Sequence, residues 1–187
     1  IVKNADDSVY AVPAVNIAPC SAQNMTTGEV YQNDANNGAN ITVAETISEN
    51  FYLDADYYED TYGNEVYVSV NYNHSSNVAQ EANFGTDVQS MDSLDDFTDG
   101  RKMISVTQAP AQITADITIK VFASEADGLA GTNPVDVITY NTKDYCLDII
   151  ANYTGEKVAQ MKELAKTTLD YAAAAQTYFN YNTDNMA

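Results

Sequence analysis

Apolar and polar residues alternate along most of the first 140 positions and recur at steps of three and four after that. Val9, Ala11, Pro13, Val15 and Ile17 alternate with Tyr10, Val12, Ala14 and Asn16, a strand pattern. Pro13 has no N–H to give a ladder, so this strand is expected at a sheet edge. Residues 25–40, rich in Thr, Gly, Asn and Asp, read as loop. Ile41, Val43, Ile47, Phe51 and Leu53 keep an even-spaced apolar register interrupted by Glu45 and Glu49, which predicts one bent strand or two short ones. Residues 54–64, dense in Asp, Glu and Tyr and closed by Gly63-Asn64, predict a turn. Val66, Val68 and Val70 alternate with Tyr67, Ser69 and Asn71 as a half-buried strand does. Residues 74–99 are polar and Asp-rich, expected as a long loop or a short helix. A strand follows at 103–106. A stronger one is expected where Ile113, Ala115, Ile117, Ile119 and Val121 alternate with Thr114, Asp116, Thr118 and Lys120. A turn at 128–133 then leads into a strand at 134–140.

At Asn141 the period changes. Asn141 or Thr142 caps a short helix in which Tyr145, Cys146, Ile149 and Ile150 share one face, and 152–155 breaks it. From Glu156 onward Val158, Met161, Leu164, Ala165, Thr168, Leu169, Ala172, Ala175, Gln176 and Phe179 form one stripe of a long helix, stopped by residues 180–185. Strands followed by helices in sequence order predict an α+β fold: an antiparallel β-sandwich-like body, then a short and a long C-terminal α-helix packed on it. With no internal repeat and no linker composition, residues 1–187 read as one domain, 1–140 mainly β and 141–181 helical.

Charge narrows the partners. Twenty-seven acidic against eight basic residues give a net charge of −19. That field repels phosphate backbones and anionic lipid heads, so neither nucleic acid nor a membrane surface is an expected partner. No apolar run reaches the length of a membrane span. The opening residues 1–7 lack the basic start and apolar stretch of a leader, as a mature, trimmed secreted chain would. Cys20 and Cys146 lie far apart. In an oxidising compartment a disulfide between them would contribute at most about 4–5 kcal/mol by chain entropy, whereas two buried thiols would act as small apolar side chains.

Candidate chemistry is sparse. His74 is the one histidine, in a polar run without a second His or a Cys nearby, so neither a nucleophile–base pair nor a zinc site is expected. Many carboxylates are available to a glycosidase, but no pair stands out. Asp54, Asp56, Glu59 and Asp60, and again Asp92, Asp95, Asp96 and Asp99, are oxygen-rich clusters suited to Ca2+, though neither has helix–loop–helix calcium spacing; a solvated acidic loop is the blander reading. Tyr57, Tyr58, Tyr62 and Tyr67, beside Tyr52, are a candidate aromatic platform for sugar rings, although tyrosine is also a routine strand residue.

The segment Ile47-Ser48-Glu49-Asn50-Phe51-Tyr52-Leu53 resembles an "I-G-x-N-F-Y" opening strand. The stretches from Tyr140 to Cys146 and from Leu169 to Asn185 resemble a "Y-S-V-x-D-Y … L-x-Y-G-A-A-A-Q-x-Y-F-x-Y-N-T-D-N" ending, with Ala172 in place of the usual glycine. That pattern is similar to C-terminal modules of large secreted or surface proteins of gut Clostridia such as ruminococci. The resemblance covers roughly residues 41–187. It implies a secreted or cell-surface location and an accessory role, often polysaccharide-related, and it carries no catalytic residues. The resulting expectation is a non-catalytic structural or adhesive module, with residues 9–17 available as a strand donated to a neighbouring copy. A carbohydrate-binding module is the alternative and a glycoside-active enzyme the third. Polysaccharide, other surface-protein modules or a second copy are the expected partners.

Overall fold

A computed structural model of the chain describes residues 21–24, 30–32, 37–43, 47–63, 65–72, 88–97, 100–154 and 157–187. The strand expected at 9–17, Cys20 and His74 lie outside the described residues. In chain order the elements are β1 (Ser21–Asn24), β2 (Val30–Gln32), β3 (Asn37–Val43), β4 (Ile47–Leu53), α1 (Ala55–Tyr62), β5 (Tyr67–Tyr72), β6 (Gln89–Ser90), β7 (Asp95–Asp96), β8 (Lys102–Gln108), β9 (Ile117–Phe122), α2 (Glu125–Ala130), β10 (Asp136–Tyr140), α3 (Thr142–Asn152) and α4 (Val158–Phe179), with 3-10 turns at Met91–Ser93 and Pro110–Gln112. The fold is α+β, as the sequence predicts. The strands form two antiparallel sheets, one in the order β2-β1-β10-β9-β5-β6 and one in the order β3-β4-β8-β7.

Alternation in the strands builds the core. In the larger sheet Val68 lies opposite Val121, Ile119 opposite Ile138, and Ile117 opposite Tyr140, so their side chains share a face. In the smaller sheet Phe51 lies opposite Ile104 and Glu49 opposite Val106. The apolar members of these two faces belong to one buried cluster, which also takes Tyr58 from α1 and Tyr145, Cys146 and Ile149 from α3. Each fully buried aliphatic side chain contributes about 1.5–3 kcal/mol. The opposite face of the smaller sheet is polar. Asn50 Nδ2 donates to Asn40 Oδ1 at 2.9 Å and to Thr42 Oγ1 at 3.0 Å, and Ser105 Oγ donates to Asn50 Oδ1 at 2.7 Å.

The interrupted pattern over 41–53 resolves as two strands, β3 and β4, paired antiparallel. Four local expectations fail. Residues 25–40, expected as loop, hold β2 and the first residues of β3. Residues 54–64 are helical over Ala55–Tyr62: the Asp54 carboxylate accepts from Tyr57 N–H at 3.1 Å, and that cap overrides the turn-like composition. The expected turn at 128–133 begins inside α2, capped by Ser124 and ended by Gly131 at φ 65. Ile113 to Ala115 do not extend β9. Pro110 opens a 3-10 turn, and Ile113 stays fully buried against Ile47 and Ala172 without belonging to a strand.

The C-terminal helices start and stop where the side chains dictate. Asn141 Oδ1 accepts from Asp144 N–H at 2.9 Å, while Asn141 Nδ2 donates to Asp144 and Asp116, fixing the first turn of α3. Helix α4 packs on α3 and on the Pro110–Gln112 turn. The middle of its stripe is buried at Ala165, Thr168, Ala172 and Gln176, whereas Val158 and Phe179 at its two ends are exposed. The chain leaves α4 through Asn180 at φ 49, a left-handed residue that asparagine tolerates. The last residues then fold back on the fully buried Gln176. Its Nε2 donates to Asn185 O at 3.0 Å, and its Oε1 accepts from Ala187 N–H at 2.9 Å. Lys143 Nζ donates to Asn185 Oδ1 and Met186 O. The ending resembling "Q-x-Y-F-x-Y-N-T-D-N" is therefore a seal on the body.

Candidate functional site

Helix α1 carries most of the residues the sequence nominates for ligand binding, and the structure divides them. Tyr57 and Tyr62 are 41% and 40% exposed. Tyr58, between them in the chain, is buried, and its hydroxyl donates to Asp136 Oδ2 at 2.7 Å, so its ring belongs to the core and offers no face to a sugar. The Tyr67 hydroxyl donates to Glu65 Oε2 at 2.9 Å. Tyr52 is buried too, against Phe97 at 4.3 Å between ring centres, with the Arg101 guanidinium 5.1 Å from its ring.

The nominated calcium ligands are separated by role. Asp54 is committed to the N-cap, Asp56 sits in the first turn of α1 near the positive end of the helix dipole, and Asp60 lies two residues before the helix ends. The two acidic clusters do approach each other at Glu59 and Asp92. Glu59 is pushed above the ordinary carboxyl range, first by partial desolvation and then by Asp92, Asp56 and Asp60. A cation is already supplied there by the protein: Lys102 Nζ lies 2.7 Å from Asp96 Oδ1 and donates to Asp92 O at 3.1 Å. Among the described residues no three His, Cys, Asp or Glu side chains converge as a metal-binding group. Cys146 is buried, and burial pushes its thiol up to about 12, with Glu49 adding to the shift. Its suggested partner, Cys20, lies outside the described residues.

A different set of polar groups converges in the interior. Glu49 of β4, Gln108 at the end of β8, Gln112 of the 3-10 turn and Thr142 at the first position of α3 are all buried to within 1%. Thr142 Oγ1 lies 2.9 Å from Glu49 Oε2 and 2.6 Å from Gln108 Oε1. Burial raises the Glu49 carboxyl to about 8; the contact with Thr142 opposes the shift and the Asp144 and Asp116 charges add to it. Tyr72, whose hydroxyl donates to Gln112 O at 3.3 Å, is driven upward chiefly by burial, with Tyr181 and Glu49 contributing. Among the described residues, Glu49 Oε1, Gln108 Nε2 and Gln112 Nε2 have no hydrogen-bond partner. Isolated buried polar atoms of this kind cost about 1–3 kcal/mol each, so the cluster is expensive for the fold.

In the sequence this cluster is hidden, because Glu49 reads as an interruption of an apolar run. The signal was available in the register. Ile47, Glu49, Phe51 and Leu53 are evenly spaced, so Glu49 must point to the same side as its apolar neighbours. No protein-family model, curated protein or solved structure matches the chain. No helix among the described residues is long and apolar enough to cross a membrane.

Proposed function

We propose that the chain is a non-catalytic, structural or adhesive module of a secreted or cell-surface bacterial protein. The observation that carries this reading is the placement of its concentrated polar chemistry. Glu49, Gln108, Gln112 and Thr142 are closed off in the interior, where no polymeric substrate reaches them. The most distinctive stretch of sequence, the C-terminal ending, serves to pin the last residues onto Gln176. The charge of −19 suits a module that stays soluble outside a cell. Retention on affinity gels of starch, cellulose, xylan and mucin glycans is the deciding experiment, run beside hydrolysis assays on the same polymers. Unretarded migration without hydrolysis is expected; hydrolysis that survives purification contradicts the proposal.

Carbohydrate binding is the second reading, favoured by the half-open faces of Tyr57 and Tyr62 on α1. It requires retention on at least one polymer, lost on Tyr57→Ala with Tyr62→Ala. Self-assembly through residues 9–17 is tested by sedimentation of the chain with and without them. A single monomeric species in both cases removes the donated-strand version.

A further inference from the structure

The Glu49–Thr142–Gln108 cluster has the composition of a reaction centre whose substrate is the protein itself. Thr142 Oγ1 contacts two oxygens, Glu49 Oε2 and Gln108 Oε1. A hydroxyl owns one proton and cannot donate to both. Turned to Glu49 Oε2, that proton is one contact away from a carboxylate able to take it. A buried carboxyl without a basic partner among the described residues is an expensive way to make a hydrogen bond. As a proton carrier it touches the hydroxyl directly. The leaving-group atom, Gln108 Nε2, and the second oxygen, Glu49 Oε1, have no partners among the described residues. The register explains the proximity. Ile47 pairs with Gln108 and Glu49 with Val106, so Glu49 and Gln108 are diagonal neighbours on one face of the sheet. The start of α3, fixed by the Asn141 cap, brings Thr142 to them.

We propose that Thr142 and Gln108 condense to an intramolecular ester, with Glu49 as the proton carrier. In the reaction Thr142 Oγ1 adds to Gln108 Cδ, and the hydroxyl proton passes to the Glu49 carboxylate. Glu49 hands that proton on to Nε2, the Cδ–N bond breaks, and ammonia leaves. An Oγ1–Cδ bond replaces a C–N bond, Glu49 ends as it began, and nothing is oxidised or reduced. Holding the groups in contact supplies the effective concentration that an unactivated amide needs. Exclusion of water protects the product from hydrolysis. The bond would tie the start of α3 to the end of β8, a covalent staple across the body. It goes beyond the proposed structural role and does not depend on it.

Mass spectrometry of the folded full chain tests the proposal. The expected mass is that of the sequence less one ammonia. Trypsin cuts after Lys102, Lys120 and Lys143, so peptides 103–120 and 121–143 should emerge joined, and hydroxylamine, which cleaves esters, should separate them. An unshifted mass with the two peptides separate overturns the proposal. Glu49→Gln keeps a hydrogen-bonding side chain but cannot exchange a proton in this way. It should give the unshifted mass, and a joined pair of peptides in that variant would overturn the role of Glu49. Should the variant fail to fold, the wild-type peptide map still decides.

Discussion

Among the described residues, the carboxyl groups of the surface and the single carboxyl of the interior behave oppositely. On the surface, α1 presents Asp54, Asp56, Glu59 and Asp60, and the Met91–Asp96 segment presents Asp92 and Asp96 beside the Lys102 ammonium. In the interior, Glu49 stands alone among a threonine and two glutamines, with no counter-charge among the described residues. The crowded region is conspicuous in the sequence and cheap to maintain. The solitary one is inconspicuous and costly, because desolvation outweighs what a hydrogen bond to Thr142 returns. Depth, rather than the number of acidic residues, decides which carboxyl matters.

The largest effect expected from this contrast is on stability against pH. A carboxyl whose folded-state value lies above its unfolded value binds a proton more tightly when folded. Glu49 therefore favours folding most below 4.5, and that advantage is lost as the pH rises towards about 8. The shift amounts to roughly 5 kcal/mol at most. Denaturant titrations at several pH values should show Glu49→Gln losing much less stability than the wild type across that window. Parallel slopes for the two proteins would mean that Glu49 is not the group responsible.

Next in size is Gln176→Ala, which leaves Asn185 O and Ala187 N–H without their interior partner. A loss of about 2–3 kcal/mol is expected, together with faster trimming by carboxypeptidase. Unchanged trimming would remove the seal from the account. Thr142→Val strips Glu49 and Gln108 of their shared hydroxyl at nearly constant volume; about 1–3 kcal/mol should be lost in chemical denaturation through the hydrogen bonds alone, and more where the proposed ester has formed. On the surface the effects shrink. Asp54→Ala should cost about 1 kcal/mol through the lost cap, and Lys102→Ala less than about 1 kcal/mol in the melting curve, since its partner Asp96 is open to solvent and such ion pairs contribute little. A Lys102→Ala loss exceeding that of Thr142→Val would invert the comparison.

How much of this was legible in the sequence follows the same division. Strict alternation at Val68 and over Ile117–Val121 gave the strands, and Asn141 gave the start of α3, because one local cause sufficed in each case. The α4 stripe was legible in its middle and misleading at its ends. Val158 and Phe179 keep the helical spacing but are not covered by any of the described residues. Helices α1 and α2 were hidden because Asp, Tyr and Gly suggest turns, while the caps at Asp54 and Ser124 are single side chains. Ile113 and Ala115 alternate as a strand does, yet Pro110 had already set a different backbone path. Of the nominated platform, Tyr57 and Tyr62 reach the surface and Tyr58 does not, a difference set by packing of α1 against the core. The Glu49 cluster needed residues 49, 108, 112 and 142 to be brought together, which only the register between β4 and β8 and the placement of α3 accomplish.

The most direct measurement is the titration of the side-chain carboxyls by carbon-detected NMR on the folded chain, with Glu49→Gln as the assignment control. One carboxyl, absent from the variant spectrum, should titrate near 8. If the Glu49 resonance instead titrates at its ordinary value near 4.5, the buried acid is solvated and the account of the interior cluster fails.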